Sequence, residues 1–297
     1  MTLCAVLLLF ASIAVAQTDV DGIMMNKKQF CNGFVYTHSS WDNYWEGTFK
    51  RDNENIGTVT TQSIMYMANY GLTSKLNVMV AAPYVWTNAS AGTLHGMKGV
   101  QDLSMFLKWR PVNVKFGSNK LSLFAVGGFS TPLTDYVVDF LPMSIGLGST
   151  TLTGRGIIDY QWKKLFVTAS AAYHYRNNIE LDRDSYYDTE MHITNEVEMP
   201  NASSYQLHVG YRGKYIGAEA VLMKMNTQGG FDITKNNMPF PSNRMNATIA
   251  GIGMKYTLKQ HTALSLSLGA NYTLAGRNVG QATAFNAGLF YAFYFGK

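Results

Sequence analysis

The side chains of this sequence that could do chemistry lie at every second position of extended, alternating segments. Around residue 170, Thr168, His174 and Arg176 fall on one face of such a segment, and Val167 falls on the other. A period of two places each set on one face of a β-strand. Applied along the chain, the pattern predicts one shared polar and aromatic face that carries Asp102, Phe106, Lys108, Phe124, Arg155, Asp159, Phe166, His174, Arg176, His208 and Glu219.

This face has more basic than acidic groups, which indicates what it could bind. If it lines a closed space, it would suit an anionic or amphipathic organic molecule, because rings of basic side chains select anions in pores. Low-dielectric walls would focus that field. The alternative is that the charges only pair with one another across strands. Asp102 with Lys108 and Arg110 would be one such set, and Arg155 with Asp159 would be another. Both interpretations remain open from the sequence.

The elements that position these residues are long strands, and the last strand is the most informative. In residues 285–295, Phe285, Leu289, Tyr291 and Phe293 share one apolar face. A strand of about ten residues with one apolar, aromatic-tipped face is typical of a membrane β-barrel. A lipid-exposed sheet edge would leave backbone groups unpaired, so the last strand must pair with the first. We therefore predict an all-β fold, a transmembrane antiparallel β-barrel of about 12 strands.

Composition supports a barrel. Of 297 residues, 14% are charged and 13% are aromatic, and the mean hydropathy is close to neutral. Soluble domains average roughly 25% charged residues, and an α-helical membrane protein would be far more apolar. The net charge of +5 is dispersed rather than gathered into a stripe, so a nucleic-acid partner is not expected.

Strands and connections alternate regularly along the chain. Short connections alternate with long polar ones, as periplasmic turns alternate with extracellular loops in outer-membrane barrels. Pro111–Asn119 is assigned to the short set of connections.

The apolar start of the chain, which ends in Ala14-Val15-Ala16, predicts a signal peptide. The predicted divisions are 1–16 signal peptide, 17–32 short periplasmic segment and 33–297 barrel. The predicted strands lie near 33–42, 58–72, 76–86, 99–110, 120–131, 149–160, 164–176, 203–212, 215–225, 246–257, 262–273 and 284–295.

Catalytic and metal-binding patterns are weak. His38 and Ser40 share a strand face, as a lipolytic serine and its base would, but no orienting carboxylate or amide is evident nearby. A phospholipase-like enzyme is therefore only a remote alternative, and we expect no enzymatic activity. The acidic residues between 180 and 190 could attract Ca²⁺, although a solvated loop is the simpler expectation. Cys31, the single cysteine after the signal peptide, has no partner for a disulfide or a metal site. No cofactor or metal is expected.

Three short motifs carry a family resemblance, and Gly154–Tyr175 resembles the hairpin that follows them in the same family. Lys98–Arg110 (KGVQDLSMFLKWR), Asn69–Thr73 (NYGLT) and Phe124–Pro132 (FAVGGFSTP) resemble motifs of the phenol-degradation meta-pathway family of outer-membrane proteins. That family is similar in turn to the long-chain fatty acid transporter barrels. In the third stretch, Leu133-Thr134 replaces the family's expected Thr-Gly. The resemblance, which covers roughly 58–295, implies a barrel that passes or binds hydrophobic or aromatic small molecules.

The function expected from these observations is passive transport of small hydrophobic, aromatic or amphipathic molecules through the lumen, in the bacterial outer membrane. The alternative is a non-transporting structural or surface-interaction barrel, whose lumen would be closed by its own salt bridges. The expected partners are outer-membrane lipid and lipopolysaccharide, the transported molecule, and the barrel-assembly machinery, which would engage the C-terminal strand.

Overall fold

The computed structural model of the protein describes residues 17–233 and 238–295, so the predicted signal peptide lies outside the described residues. Twelve long antiparallel strands form one closed barrel. Their bounds are β1 Gln29–Trp41, β2 Val59–Gly71, β3 Leu76–Ala89, β4 Asp102–Phe116, β5 Asn119–Pro132, β6 Thr151–Trp162, β7 Leu165–Arg176, β8 Asn201–Arg212, β9 Ile216–Gln228, β10 Asn246–Thr257, β11 Leu264–Arg277 and β12 Thr283–Tyr294. Within the described ranges there is no helix of the length and apolarity needed to cross a membrane.

The first and last strands close the barrel, as the C-terminal pattern predicts. β1 pairs with β12 from Gln29 opposite Tyr294 to Ser40 opposite Thr283. β1 also pairs with β2 on its other side, so each described edge of β1 is hydrogen-bonded. The closure satisfies the backbone N–H and C=O groups that hydrocarbon could not.

The two faces of the strands are those that the period of two predicts. On β4, Leu107 and Trp109 are about half exposed on the outer surface, whereas Lys108 between them is fully buried. On β7, Leu165 and Val167 are exposed, whereas Phe166 is buried. The apolar face therefore points to lipid, and the polar and aromatic face points to the lumen.

The predicted turn at Pro111–Asn119 is wrong, because β4 continues through Pro111 to Phe116. Only Gly117 and Ser118 separate β4 from β5. The pairing shifts register between Trp109 and Val112. Proline cannot donate to the ladder and is tolerated at a bulge, so the strand continues past it with an irregularity. Gly117, with φ of 60°, makes the tight turn that follows.

The loops at the extracellular end contain short strands of their own. Loop 3 (133–150), loop 4 (177–200) and the described parts of loop 5 (229–233 and 238–245) pack against one another through buried apolar side chains. In this cluster Tyr186 of loop 4 stacks on Phe240 of loop 5, with ring centroids 5.4 Å apart. The short strands are Asn43–Glu46 with Phe49–Asp52, Lys98–Val100 against β3, Ile179–Glu180 with Glu196–Val197, and Tyr186–Tyr187 with Met191–His192.

Loop 5 is tied to the barrel through Asp232, and this tether has a defined pH range. Hydrogen bonds from Arg277, at 2.5 and 2.7 Å, and from Asn278 hold the pKa of Asp232 at about 2, below its ordinary value of 3.8. A lowered pKa contributes stability that is complete above the ordinary value and is lost as the pH falls through about 2. Hydrogen exchange should therefore show residues 229–233 equally protected from pH 7 to pH 4. Loss of protection already at pH 5 would contradict this.

The segment Gln17–Lys28 was predicted to lie in the periplasm, but it lies inside the barrel. It contacts inward-facing residues of several strands, among them Asn69 on β2, Lys108 on β4 and Arg155 on β6. Gln17 and Met25 are almost completely buried. β1 accordingly begins at Gln29, four residues before the predicted start. We call residues 17–28 the lumen segment.

Candidate functional site

Each residue that the sequence predicted for the lumen lies on the inward face of its strand, but together they do not form one site. Phe106, Lys108, Phe124 and Arg155 contact or adjoin the lumen segment. Asp159 and Phe166 belong to an arginine-centred group on β6, β7 and β8. His174, His208 and Glu219 are linked to neighbouring strands, and Asp102 and Arg176 lie at the extracellular end.

Lys108 is the main anchor of the lumen segment. Its ammonium donates to the carboxylate of Asp21 at 2.9 Å and to the backbone carbonyls of Asp21 and Thr18 at 2.6 and 2.9 Å. It also lies 5.1 Å from the ring centroid of Phe124. The side chain has no exposed surface. All three donors of the ammonium are therefore used on the segment, which satisfies a charge that would otherwise be costly to bury.

Arg155 holds the segment at a second point. Its Nη2 lies 3.2 Å from Oδ2 of Asp19, and the side chain is almost fully buried. Its Nε and Nη1 atoms have no hydrogen-bond partner among the described residues. Arg155 thus uses Nη2 on Asp19 and keeps N–H donors on Nε and Nη1, each of which can pair with an oxygen of a carboxylate or a sulfonate.

Apolar and amide contacts fix the rest of the segment. Met25 packs with Cys31 and Phe290 in one buried apolar cluster, so Cys31 is a packing residue of the lumen. Met24 packs against Phe124 and the buried residues around it. Asn69 donates from Nδ2 to the carbonyl of Gln17 at 2.7 Å. The segment therefore spans the lumen from β1 and β12 to β6.

Asp159 and Arg212 form the second buried group. Nη1 of Arg212 lies 2.7 Å from Oδ1 of Asp159, which also accepts a hydrogen bond from Thr168 at 2.5 Å. The guanidinium of Arg212 stacks on Phe166, 3.6 Å from the ring centroid. Asp159 is fully buried, whereas Arg212 is partly exposed. This is a cation–π and ion-pair arrangement that fixes Phe166 on the lumen wall.

The remaining predicted residues make local contacts. His208 Nδ1 lies 3.1 Å from Oε2 of Glu219 on the next strand. His174 contacts the hydroxyls of Thr153 and Ser204 at 3.0 and 2.9 Å. At the extracellular end, Asp102 accepts a hydrogen bond from Tyr136 of loop 3 at 2.7 Å. The backbone N–H of Arg176 donates to Asn201, and its Nη1 donates to the carbonyl of Pro200.

The charge pairs differ from those that the sequence suggested. Asp102 forms an ion pair with neither Lys108 nor Arg110, and Arg155 forms none with Asp159. Asp19 and Asp21 of the lumen segment instead neutralise Arg155 and Lys108. Sequence reasoning missed both aspartates because it placed residues 17–32 outside the barrel. The signal that could have found them is the TDVDG stretch, in which two carboxylates lie shortly after the predicted signal peptide.

Gly22 of the lumen segment lies directly against Asp159. A Cβ at this position would fall 2.0 Å from Oδ1 of Asp159, whose own contacts leave it no room to move. We therefore expect Gly22→Val to prevent docking of the segment and to raise single-channel conductance. Gly127→Val is the control, since its Cβ would meet nothing within 4 Å. Equal conductance of both variants would mean that Gly22 is not closely packed.

No catalytic or metal arrangement emerges in the part of the chain that the structure describes. No group of three or more histidine, cysteine or carboxylate side chains there is placed to hold a metal ion. His38 shares the outward face of β1 with Phe34 and Tyr36, and no hydrogen bond joins it to Ser40 within the described ranges.

Comparisons with known proteins agree with this architecture. The family model described as "Putative MetA-pathway of phenol degradation" matches residues 54–289. The crystal structure of the COG4313 outer membrane channel from Pseudomonas putida F1 is similar, with a TM-score of 0.74 at 14% identity over 94% of this chain and 100% of that chain. A search of curated proteins finds no match.

Other barrels are less similar. The NanC porin has a TM-score of 0.46 at 8% identity, over 86% of this chain and 98% of that chain. The TodX monoaromatic hydrocarbon channel has a TM-score of 0.44 at 10% identity, over 92% and 91%. The resemblance inferred from residues 69–73, 98–110 and 124–132 is confirmed by the family match. The chain is a β-barrel of the bacterial outer membrane, and it belongs to the family described as the putative MetA-pathway of phenol degradation.

Proposed function

We propose that this barrel is a passive channel for small hydrophobic, aromatic or amphipathic molecules, and that it prefers those with an anionic group. Membership of the family and the likeness to an outer membrane channel support a barrel that conducts. The observation that carries the anion preference is Arg155, a buried guanidinium with one side held by Asp19 and two donor atoms left unpaired within the described structure.

The ligand-binding surface that we propose combines charge with aromatic area. The guanidinium of Arg155 would take a carboxylate or sulfonate, and aromatic rings on the inward face would contact the apolar body. Charge-assisted bonds in a low-dielectric lumen are stronger than in water. The proposed ligand-directing residues are Asp102, Phe106, Lys108, Phe124, Arg155, Asp159, Phe166, His174, Arg176, His208 and Glu219, with Lys108 and Asp159 acting through the lumen segment and Arg212.

The role of Arg155 can be tested by ion selectivity. Arg155→Gln should shift the reversal potential in a salt gradient toward cations, because it removes a positive charge from inside low-dielectric walls. Lys224→Gln is the matched control, since Lys224 is exposed on the outer face of β9 and outside the lumen. An unchanged reversal potential in Arg155→Gln channels of normal conductance would remove Arg155 from the proposed permeation path.

A non-transporting barrel is the second candidate, and one observation favours it. The buried charges Lys108 and Asp159 are paired, as a lumen closed by its own salt bridges requires. Planar-bilayer recording of the folded protein, with the chain starting at Gln17, separates the two candidates. Stable conductance supports the channel. Silence of a folded, heat-modifiable barrel would support the structural alternative.

We further propose that the protein has no enzymatic activity. His38 and Ser40 share the lipid-facing side of β1 with Phe34 and Tyr36, and no hydrogen bond joins the two in the described structure. For partners, we propose that the acidic loops meet lipopolysaccharide through bridging divalent cations. The aromatic C-terminal strand would engage the barrel-assembly machinery during insertion.

A further inference from the structure

An apolar groove of about 1020 Å³ runs along the outer, lipid-facing wall of the barrel, close to the periplasmic turns. Its sides are formed by Tyr160, Trp162, Tyr211, Ile252, Met254 and Leu268, all of which are exposed on the outer surface. Its volume is at the upper end of the roughly 300–1,000 Å³ that small-molecule sites occupy.

The groove exists because small residues replace large ones on β9. Ala218 and Ala220 occupy two successive outward positions there. In the paired register they lie between Tyr211 and Val209 of β8 on one side and Met254 and Ile252 of β10 on the other. The alanine methyl groups therefore form the floor of the groove, and the larger side chains on the neighbouring strands form its walls.

The barrel wall is continuous beneath this groove. β8 pairs with β9 from Asn201 to Arg212, and β9 pairs with β10 from Ile216 to Met225, with no shift in register in either pairing. Glu219 borders the floor from the lumen side, where it contacts His208. The groove is thus a dent in the outer surface and gives no passage to the lumen.

Four exposed lysines lie on the periplasmic turns that join the strands of the groove, and two of them contact aromatic rings that line it. Lys163 lies 5.3 Å from the ring centroid of Trp162, and Lys164 lies 5.8 Å from that of Tyr211. Lys214 and Lys259 both lie over Tyr215, at 5.1 and 5.9 Å. They come from the three turns that join β6 to β7, β8 to β9 and β10 to β11, which follow one another around the barrel end.

No carboxylate offsets these lysines. The turns 163–164, 213–215 and 258–263 contain no aspartate or glutamate, and the acids on the flanking strands, Asp159 and Glu219, face the lumen. Acidic residues are gathered instead in the extracellular loops. An apolar groove in the periplasmic half of the wall therefore ends in a purely basic border.

We propose that this groove binds one anionic diacyl phospholipid of the periplasmic leaflet, such as phosphatidylglycerol. An acyl chain lies over Ala218 and Ala220, and the phosphate is held by Lys163, Lys164, Lys214 and Lys259. Basic pockets at the membrane border recognise anionic headgroups through this charge complementarity. The aromatic rings under the lysines position them at headgroup depth.

Native mass spectrometry of the folded full chain, titrated with phosphatidylglycerol or phosphatidylethanolamine, tests the proposal. We expect one saturable phosphatidylglycerol, retained at least about tenfold more tightly than phosphatidylethanolamine, because each lysine near an anionic headgroup contributes roughly a fivefold factor. Equal retention of the two lipids would overturn the proposal. A dimer that forms in place of lipid binding would also overturn it, since a second copy would then fill the groove.

Two sets of variants locate the site. Lys163→Gln/Lys164→Gln should lose the preference for phosphatidylglycerol, because these two lysines lie over Trp162 and Tyr211 of the groove. The control with the same change of charge, Lys75→Gln/Lys115→Gln, should keep it, since those exposed lysines lie elsewhere at the periplasmic end. Equal loss in both double variants would mean a diffuse electrostatic effect and no site.

The second set fills the groove. Ala218→Leu/Ala220→Leu should abolish lipid retention, whereas Ala125→Leu/Ala171→Leu, at outward positions of β5 and β7, should not. Heat-modifiable migration checks that each variant folds. Quenching of Trp162 in the wild-type protein gives an independent measurement. The fluorescence of Trp162 is the part of the signal that is lost in Trp162→Phe. Brominated phosphatidylglycerol should quench this fluorescence more strongly than brominated phosphatidylethanolamine does. Equal quenching by the two lipids would count against the site.

Discussion

Lys108→Met should open the channel, with a single-channel conductance several times that of the wild-type protein. The substitution keeps the length and volume of the side chain but removes all three bonds to the lumen segment. It also leaves Asp21 without its cation. Removing one member of a buried ion pair costs about 3–5 kcal/mol, which shifts the docked segment toward release by about a hundredfold or more.

The matched control for this prediction is Lys120→Met, at an inward-facing position of β5 that has no hydrogen bond to the lumen segment. It should conduct as the wild-type protein does. Asp21→Asn should have a smaller effect than Lys108→Met, because the ammonium keeps its two carbonyl acceptors. If Lys108→Met folds and conducts like the wild-type protein, the lumen segment does not set the constriction.

Asp159→Ala should destabilise the barrel more than any other single change to an inward-facing carboxylate. Asp159 is fully buried and is paired with Arg212 at 2.7 Å. Its loss leaves Arg212 and Thr168 without their shared acceptor. We expect a loss of about 3 kcal/mol in the free energy of unfolding. This is the low end of the range for breaking a buried ion pair, because Arg212 is partly exposed.

Guanidinium unfolding in lipid vesicles measures this loss as a lower midpoint with an unchanged slope. Glu219→Ala is the control, because the Glu219 side chain is partly exposed and its partner His208 also contacts Gln206. It should cost well under half as much. Equal midpoints for the two variants would mean that the Asp159–Arg212 pair is not a stabilising contact.

Much of the barrel could be predicted from the sequence, because lipid outside and polar lumen inside impose a period of two on every strand. The inward placement of Phe166, His208 and Glu219 follows from that rule alone. β4 is the exception, because it is longer than the sequence predicts. Pro111 is a usual strand breaker, but a register shift lets the strand continue to Phe116.

The contacts of the site could not be predicted in the same way. Lys108 and Asp21 are 87 residues apart in sequence and meet only because the lumen segment folds into the barrel. Arg155 and Asp159, suggested as a pair, are four residues apart on one strand, a rise of about 13 Å. Strand geometry therefore separates them, and each finds its partner elsewhere. The lumen segment itself has no strand pattern, so periodicity gives no information about its position.

A liposome-swelling assay tests most directly the claim that the lumen passes small aromatic or amphipathic anions. Liposomes that contain the folded protein would be diluted into isosmotic benzenesulfonate or into isosmotic benzyltrimethylammonium, an aromatic cation of similar size. We expect faster swelling in benzenesulfonate, and a further increase with Lys108→Met. No swelling in either solute, for wild-type and Lys108→Met proteins that are both folded, would contradict the claim and identify a closed barrel.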